Sequence, residues 1–138
     1  MTIGSWYVLC RRERLTALAD LAEQLSAVRD ARVMKLDVDY AEIVVDDALT
    51  HDSATIRLFV DDDPHILTES QEFAQPYRGR PDGEVIASAD VRYAITWDLE
   101  KSDETYNARC VIGEVIARAT DGVVYDLMEG RIVWSATP

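Results

Sequence analysis

Val85-Ile86-Ala87-Ser88-Ala89-Asp90-Val91-Arg92-Tyr93-Ala94-Ile95-Thr96-Trp97-Asp98-Leu99 is the stretch on which the fold turns, because every odd position in it is apolar and most even positions are polar. In a strand, successive side chains point to opposite faces. A period of two therefore reads as an antiparallel strand with one face on a core, leaving Ser88, Asp90, Arg92, Thr96 and Asp98 towards solvent or a partner. Pro81-Asp82-Gly83 is turn chemistry just ahead of it and sets the expected start near Ala87.

Helical periodicity flanks this strand on both sides. Residues Glu13 to Val28 place Leu15, Leu18, Leu21, Ala22, Leu25 and Val28 on one face, with Thr16, Asp20, Glu23 and Gln24 opposite. Residues Asp103 to Ala119 repeat the pattern with Ala108, Val111, Ile112, Val115, Ile116 and Ala119. Ser102 is the expected N-cap of that second helix, Asp103 and Glu104 sit where the helix dipole favours anions, and Asp121-Gly122 ends it.

Shorter strands complete the pattern. Ser5 to Cys10 precedes the first helix. Met34, Leu36, Val38 and Tyr40 alternate with polar residues, and the phase then shifts to Ile43 and Val45, which predicts a bulge or bend near Ala41. Ala54 to Val60 follows. Val123 to Tyr125 and Ile132 to Trp134 form a hairpin closed by Leu127-Met128-Glu129-Gly130. The expectation is one α+β domain over residues 1–138, an antiparallel sheet of about six strands with two helices on one face. Its order is β-α-β-β repeated twice, joined by Asp61 to Glu84, within which Ile66-Leu67 and Phe73-Ala74 mark a short helical piece.

The chain has 138 residues, of which 26 are acidic and 14 basic, for a formal net charge of −12. A phosphate backbone is repelled by such a surplus, and the one basic cluster, Arg11, Arg12 and Arg14, is interrupted by Glu13, so nucleic acid is not an expected partner. No apolar run approaches the roughly 20 residues of a membrane span, so no membrane partner is expected either. The start Met1-Thr2-Ile3-Gly4-Ser5-Trp6 lacks the features of a secretory signal, and the expected location is cytoplasmic. Cys10 and Cys110 have neither CxxC spacing nor histidines beside them and are expected as reduced core thiols.

Two stretches invite chemistry and decline it on spacing. Asp61-Asp62-Asp63-Pro64-His65 is dense in ligand types, but adjacent residues at a strand end point in different directions, and the alternating framework of a calcium loop is missing. His51-Asp52-Ser53 holds the three side-chain types of a hydrolase triad, yet neighbours in one loop cannot form that relay. There is no G-x-S-x-G elbow, no glycine-rich phosphate loop and no cofactor motif, and the only histidines are His51 and His65. Trp6, Trp97, Trp134, Tyr7, Tyr93 and Tyr125 all fall on predicted strands, where aromatic side chains pack in cores. The expected function is binding without catalysis.

Residues 93–98 (Tyr-Ala-Ile-Thr-Trp-Asp), 116–126 (Ile-Ala-Arg-Ala-Thr-Asp-Gly-Val-Val-Tyr-Asp) and 130–133 (Gly-Arg-Ile-Val) resemble small acidic immunity proteins that bacteria encode beside polymorphic toxins, in which a helix ends in T-x-G-V-V-Y-D before a turn and a last strand. The resemblance implies a cytoplasmic protein without catalytic residues that occludes a toxin or locks its conformation. It carries over no binding residue. From charge density alone, the candidates for contact with a cationic protein partner are Asp46, Asp47, Asp61, Asp62, Asp63, Glu69 and Glu72. A subunit or adaptor of a larger assembly, and a small-molecule-binding enzyme, stay open as alternatives, as does the oligomeric state.

Overall fold

The computed structural model describes residues 2–136. Seven strands form one sheet: β1 (Ile3–Cys10), β2 (Ala31–Leu36), β3 (Tyr40–Asp46), β4 (Ser53–Asp61), β5 (Val91–Asp98), β6 (Val123–Asp126) and β7 (Arg131–Ser135). Their order in space is β2-β3-β4-β5-β1-β6-β7, and every neighbouring pair is antiparallel. The fold is α+β. Both neighbours of β1 come from the other end of the chain, since β5 pairs along its whole length and β6 along residues Trp6 to Leu9.

The helices lie on both faces of the sheet. On one face α1 (Leu18–Ser26) and α4 (Ser102–Thr120) cover the larger core, into which Trp6, Val8, Cys10, Ile43, Ile56, Leu58, Val91, Tyr93, Ile95 and Trp97 project. Helix α1 docks through Leu18, Leu21 and Leu25, a stripe at helical spacing. On the other face α2 (Ile66–Ala74) and α3 (Pro81–Ala87) cover a smaller core of Leu9, Ala74, Ile86, Ala89, Val123 and Tyr125, flanked by Tyr7 and Phe73. Strand β1 is thus buried on both sides, which accounts for its unbroken Tyr7-Val8-Leu9-Cys10 run. Beyond β5 the second face stays open. There β3 and β4 present Tyr40 against Phe59, with ring centroids 4.9 Å apart, and Glu42 against Arg57 at 3.7 Å.

The strand that opened the reading is shorter than its pattern. Val91, Tyr93, Ile95 and Trp97 are buried on the α1–α4 side as expected, but residues 81–87 form α3 instead of a turn and strand start. Pro81 is at home in a first helical turn, where its missing N–H has no partner to lose. Gly83 is needed there because a Cβ would lie 2.0 Å from the Tyr77 carbonyl oxygen. Arg92, expected in solvent, is 5% exposed beneath α2.

Two further expectations are corrected. The bent strand across Met34 to Val45 is a hairpin, β2 and β3, whose turn at Asp37 to Asp39 is closed by Asp37 N–H donating to the Tyr40 carbonyl at 2.7 Å. The bulge lies in β2, between Val33 and Lys35, and not near Ala41. Splitting that strand raises the count to seven and makes the first half β-α-β-β-β, so the two halves are not equal repeats. The expected pair of helices on one face is α1 and α4, and α2 with α3 adds a second layer on the other. Ser102 is the first residue of α4 and not its N-cap, and Asp121, at φ 51°, takes the left-handed stop expected of Gly122.

Cys10 and Cys110 are free thiols, the first buried and the second half-buried. Among the described residues no helix is long and apolar enough to cross a membrane.

Candidate functional site

The seven acidic candidates fall into two groups at opposite ends of β4. Asp61, Asp62, Asp63, Glu69 and Glu72 lie where β4 runs into α2, whereas Asp46 and Asp47 lie at the β3–β4 turn, beside Ser53.

In the first group the carboxylates are answered by the protein's own cations. Asp61 sits opposite Arg92 on β5, whose Nη2 is 3.5 Å from it, while Arg92 Nη1 donates to Glu69 at 2.9 Å. The Arg92 guanidinium lies 4.0 Å above the Tyr7 ring, so this cation is clamped between α2 and the sheet. Asp62 is 3.7 Å from Arg12. Asp63 accepts hydrogen bonds from the His65 backbone and ring, and the other ring nitrogen of His65 is 3.2 Å from Glu69. Bonding to His65 holds the Asp63 carboxyl below its ordinary value, and bonding to Asp63 raises the His65 imidazole above its own. Glu72 is exposed one helical turn past Glu69. Among the described residues no group of three or more histidines, cysteines and carboxylates is placed to hold a metal ion.

The second group opens onto a cleft. Asp46 is held by Arg32 through two hydrogen bonds of 3.1 and 3.2 Å, and Asp47 caps its own turn by accepting from the N–H groups of Leu49 and Thr50. Between this turn and the start of α4 is a cleft of about 320 Å³ lined by Asp30, Asp46, Asp47, Asp103 and Glu104, with Arg29 as its cationic side chain. Glu104 Oε2 is buried there without a hydrogen bond, and Lys101 approaches it only to 3.9 Å. Leu49, 92% exposed, stands beside the acids.

On the other flank of α4 the structure shows a residue that pattern reading passed over. A cleft of about 370 Å³ between α4 and the β6–β7 hairpin is lined by Trp6, Trp97, Tyr106, Arg109, Asp126 and Met128 among others. Arg109 is 5% exposed. Its guanidinium lies 4.0 Å from the Trp97 ring, 4.9 Å from Trp6 and 5.1 Å from Tyr106, and its Nη1 donates to the Ser102 carbonyl at 2.8 Å and to Thr105 Oγ1 at 2.7 Å. Among the described residues Nε has no acceptor, nor has the indole N–H of Trp97. Burial is the main influence on Arg109 and lowers its pKa. A signal for this residue was present in the sequence: Arg109 is three and seven positions before Ile112 and Ile116, on the stripe that faces the core.

Cys10 is walled in, and burial pushes its thiol up to about 12. The chain matches no protein-family model, no curated protein and no solved structure.

Proposed function

We propose that this protein is a cytoplasmic, non-catalytic binding protein that neutralises a cationic protein partner, in the manner of the immunity proteins that its C-terminal half resembles. The observation that carries the reading is the acidic cleft between the β3–β4 turn and α4. Five carboxylates line it, of which Asp30, Asp46 and Glu104 face Arg29, Arg32 and Lys101, and the buried Glu104 Oε2 has no hydrogen-bond donor among the described residues. A lysine or arginine from a partner supplies the missing donors and counter-charge, and Leu49 beside it offers apolar contact. The rest of the acidic surface steers such a partner in from a distance. Asp61, Asp62, Asp63 and Glu69 contribute to that field and are offset locally by Arg12, Arg92 and His65, as the cleft acids are by Arg29, Arg32 and Lys101; the concavity of the cleft and the exposed Leu49 at its edge favour it as the place of contact. A buried thiol of raised pKa and a histidine tied between two carboxylates suit a scaffold better than a reaction centre.

The test is whether the gene beside this one encodes a cationic domain that the protein binds, with association followed by surface plasmon resonance at low and high salt. Asp46→Lys with Asp103→Lys should slow association about tenfold and flatten its salt dependence. Asp62→Lys with Asp63→Lys should have a smaller effect. Unchanged association by a folded cleft variant would remove the cleft from the interface, and no binding by the wild type would sink the reading itself.

A further inference from the structure

Arg109 is the residue whose position the fold does not explain by itself. A guanidinium 5% exposed is costly to bury, and the usual remedy is a carboxylate beside it. The charged side chains lining its cleft are already engaged: Asp126 accepts from the N–H groups of Met128 and Glu129, and Glu129 pairs with Arg131. The Trp97, Trp6 and Tyr106 rings attract the cation through their faces but leave its Nε–H without an acceptor. With Nη1 bound to Ser102 and Thr105, the Nε side of the fork remains, and the indole N–H of Trp97, on the ring edge that packs over Gly4, is a second buried donor without an acceptor among the described residues. Trp97 is held there by Gly4 on β1, where a Cβ would fall 2.3 Å from the indole ring.

We propose that this cleft is a binding site for a small organic acid, one carboxylate on an apolar stem, with the carboxylate on the free side of the Arg109 fork and the stem along Leu99, Met128, Ile132 and Val133, since the guanidinium itself fills the space between the Trp6, Trp97 and Tyr106 rings. A carboxylate is planar and accepts two parallel hydrogen bonds, which matches the side of a guanidinium fork. A single charge fits better than a phosphate dianion, because the protein carries −12 overall and Asp126 and Glu129 line the same cleft. Arg109 Nε is sealed from water, so binding requires side chains of the cleft to move, and Tyr106 and Met128, which line it and are 53% and 59% exposed, are the ones with room to do so. The site is separate from the acidic cleft across α4 and stands or falls independently of it.

The experiment titrates the ¹⁵N-labelled protein at neutral pH with sodium phenylacetate, with its neutral isostere phenylacetamide, and with inorganic phosphate, following the Trp97 indole and Arg109 Nε–H signals. Saturable shifts of both signals are expected with phenylacetate, with the amide binding at least about tenfold more weakly for want of a charge-assisted hydrogen bond. Phosphate should shift neither. Equal affinity for acid and amide would reduce the cleft to an apolar hole. Phosphate binding as well as the acid, or no shift with any of the three, would also overturn the assignment. The comparison is made on the wild type, so it does not depend on whether Arg109→Met folds.

Discussion

Single residues here are legible in proportion to how ordinary their surroundings are. The odd positions of β5 are buried because the period of two states a physical requirement, whereas Arg92 on its even face reads as solvated and is in fact beneath α2, stabilised by Glu69, Asp61 and the Tyr7 ring. Arg109 is charged and yet buried, in register with Ile112 and Ile116 on the inward face of α4. Asp63 and His65 were adjacent in the sequence, but only the turn brings ring and carboxylate together. That pair has a pH signature. Asp63 is lowered, so its contribution is present above the ordinary carboxylate value of 3.8 and is lost as pH falls through the folded value. His65 is raised, so its contribution is complete below the ordinary 6.5 and is lost as pH rises through the folded value. The pair therefore stabilises most between these two limits. In Asp63→Asn the His65 titration, followed by NMR, should move back towards its ordinary value; an unmoved midpoint would assign the shift to Glu69 instead.

Whole elements are legible in part: the β6–β7 hairpin lies where its pattern puts it, α4 leaves Val111 and Ala119 of its expected core face exposed, and the helix expected over Glu13 to Val28 is only Leu18–Ser26, with Leu15 outside it and 37% exposed. The seven residues of α3 give too few turns for a helical period to emerge, and Val85, Ala87 and Ala89 happen to continue the alternation of β5. The β2–β3 turn is hidden differently, since its turn formers Asp37 and Asp39 flank Val38, which continues the alternation of Leu36 and Tyr40 although it is 89% exposed. Of the candidate site, the acidic residues could be named but not sorted, because which of them meets a cation depends on register across β4 and β5. One contact between elements is exact enough to test. The Tyr93 hydroxyl, projecting from β5, accepts from the Thr16 N–H at 2.9 Å and donates to the Thr16 carbonyl, fixing the chain just before α1. Burial raises its phenol to about 12, so the hydroxyl stays protonated and both bonds persist at neutral pH. Tyr93→Phe leaves two backbone groups without that partner and should cost about 1–3 kcal/mol in urea unfolding. A loss below about 0.5 kcal/mol would mean that water replaces the hydroxyl.

At the scale of the molecule, the surplus of acid is a repulsion that the fold carries. Several of the cations sit in exposed pairs such as Arg14 with Asp121 and Arg118 with Glu114, which add little to stability. Screening the remaining charge should raise the melting temperature by several degrees between about 0.02 and 0.5 M NaCl at neutral pH. A melting temperature that falls with salt would show that the pairs outweigh the repulsion. The place of β1 has a consequence in time. It is made before the other described strands, yet both strands that flank it are made after residue 90, and the second of them ends at Asp126. At about 5–20 residues per second, the apolar run Tyr7-Val8-Leu9-Cys10 waits roughly 6–20 s for its neighbours. During synthesis this nascent segment has no native strand to pair with, and it is the part of the chain that a chaperone would most usefully shield.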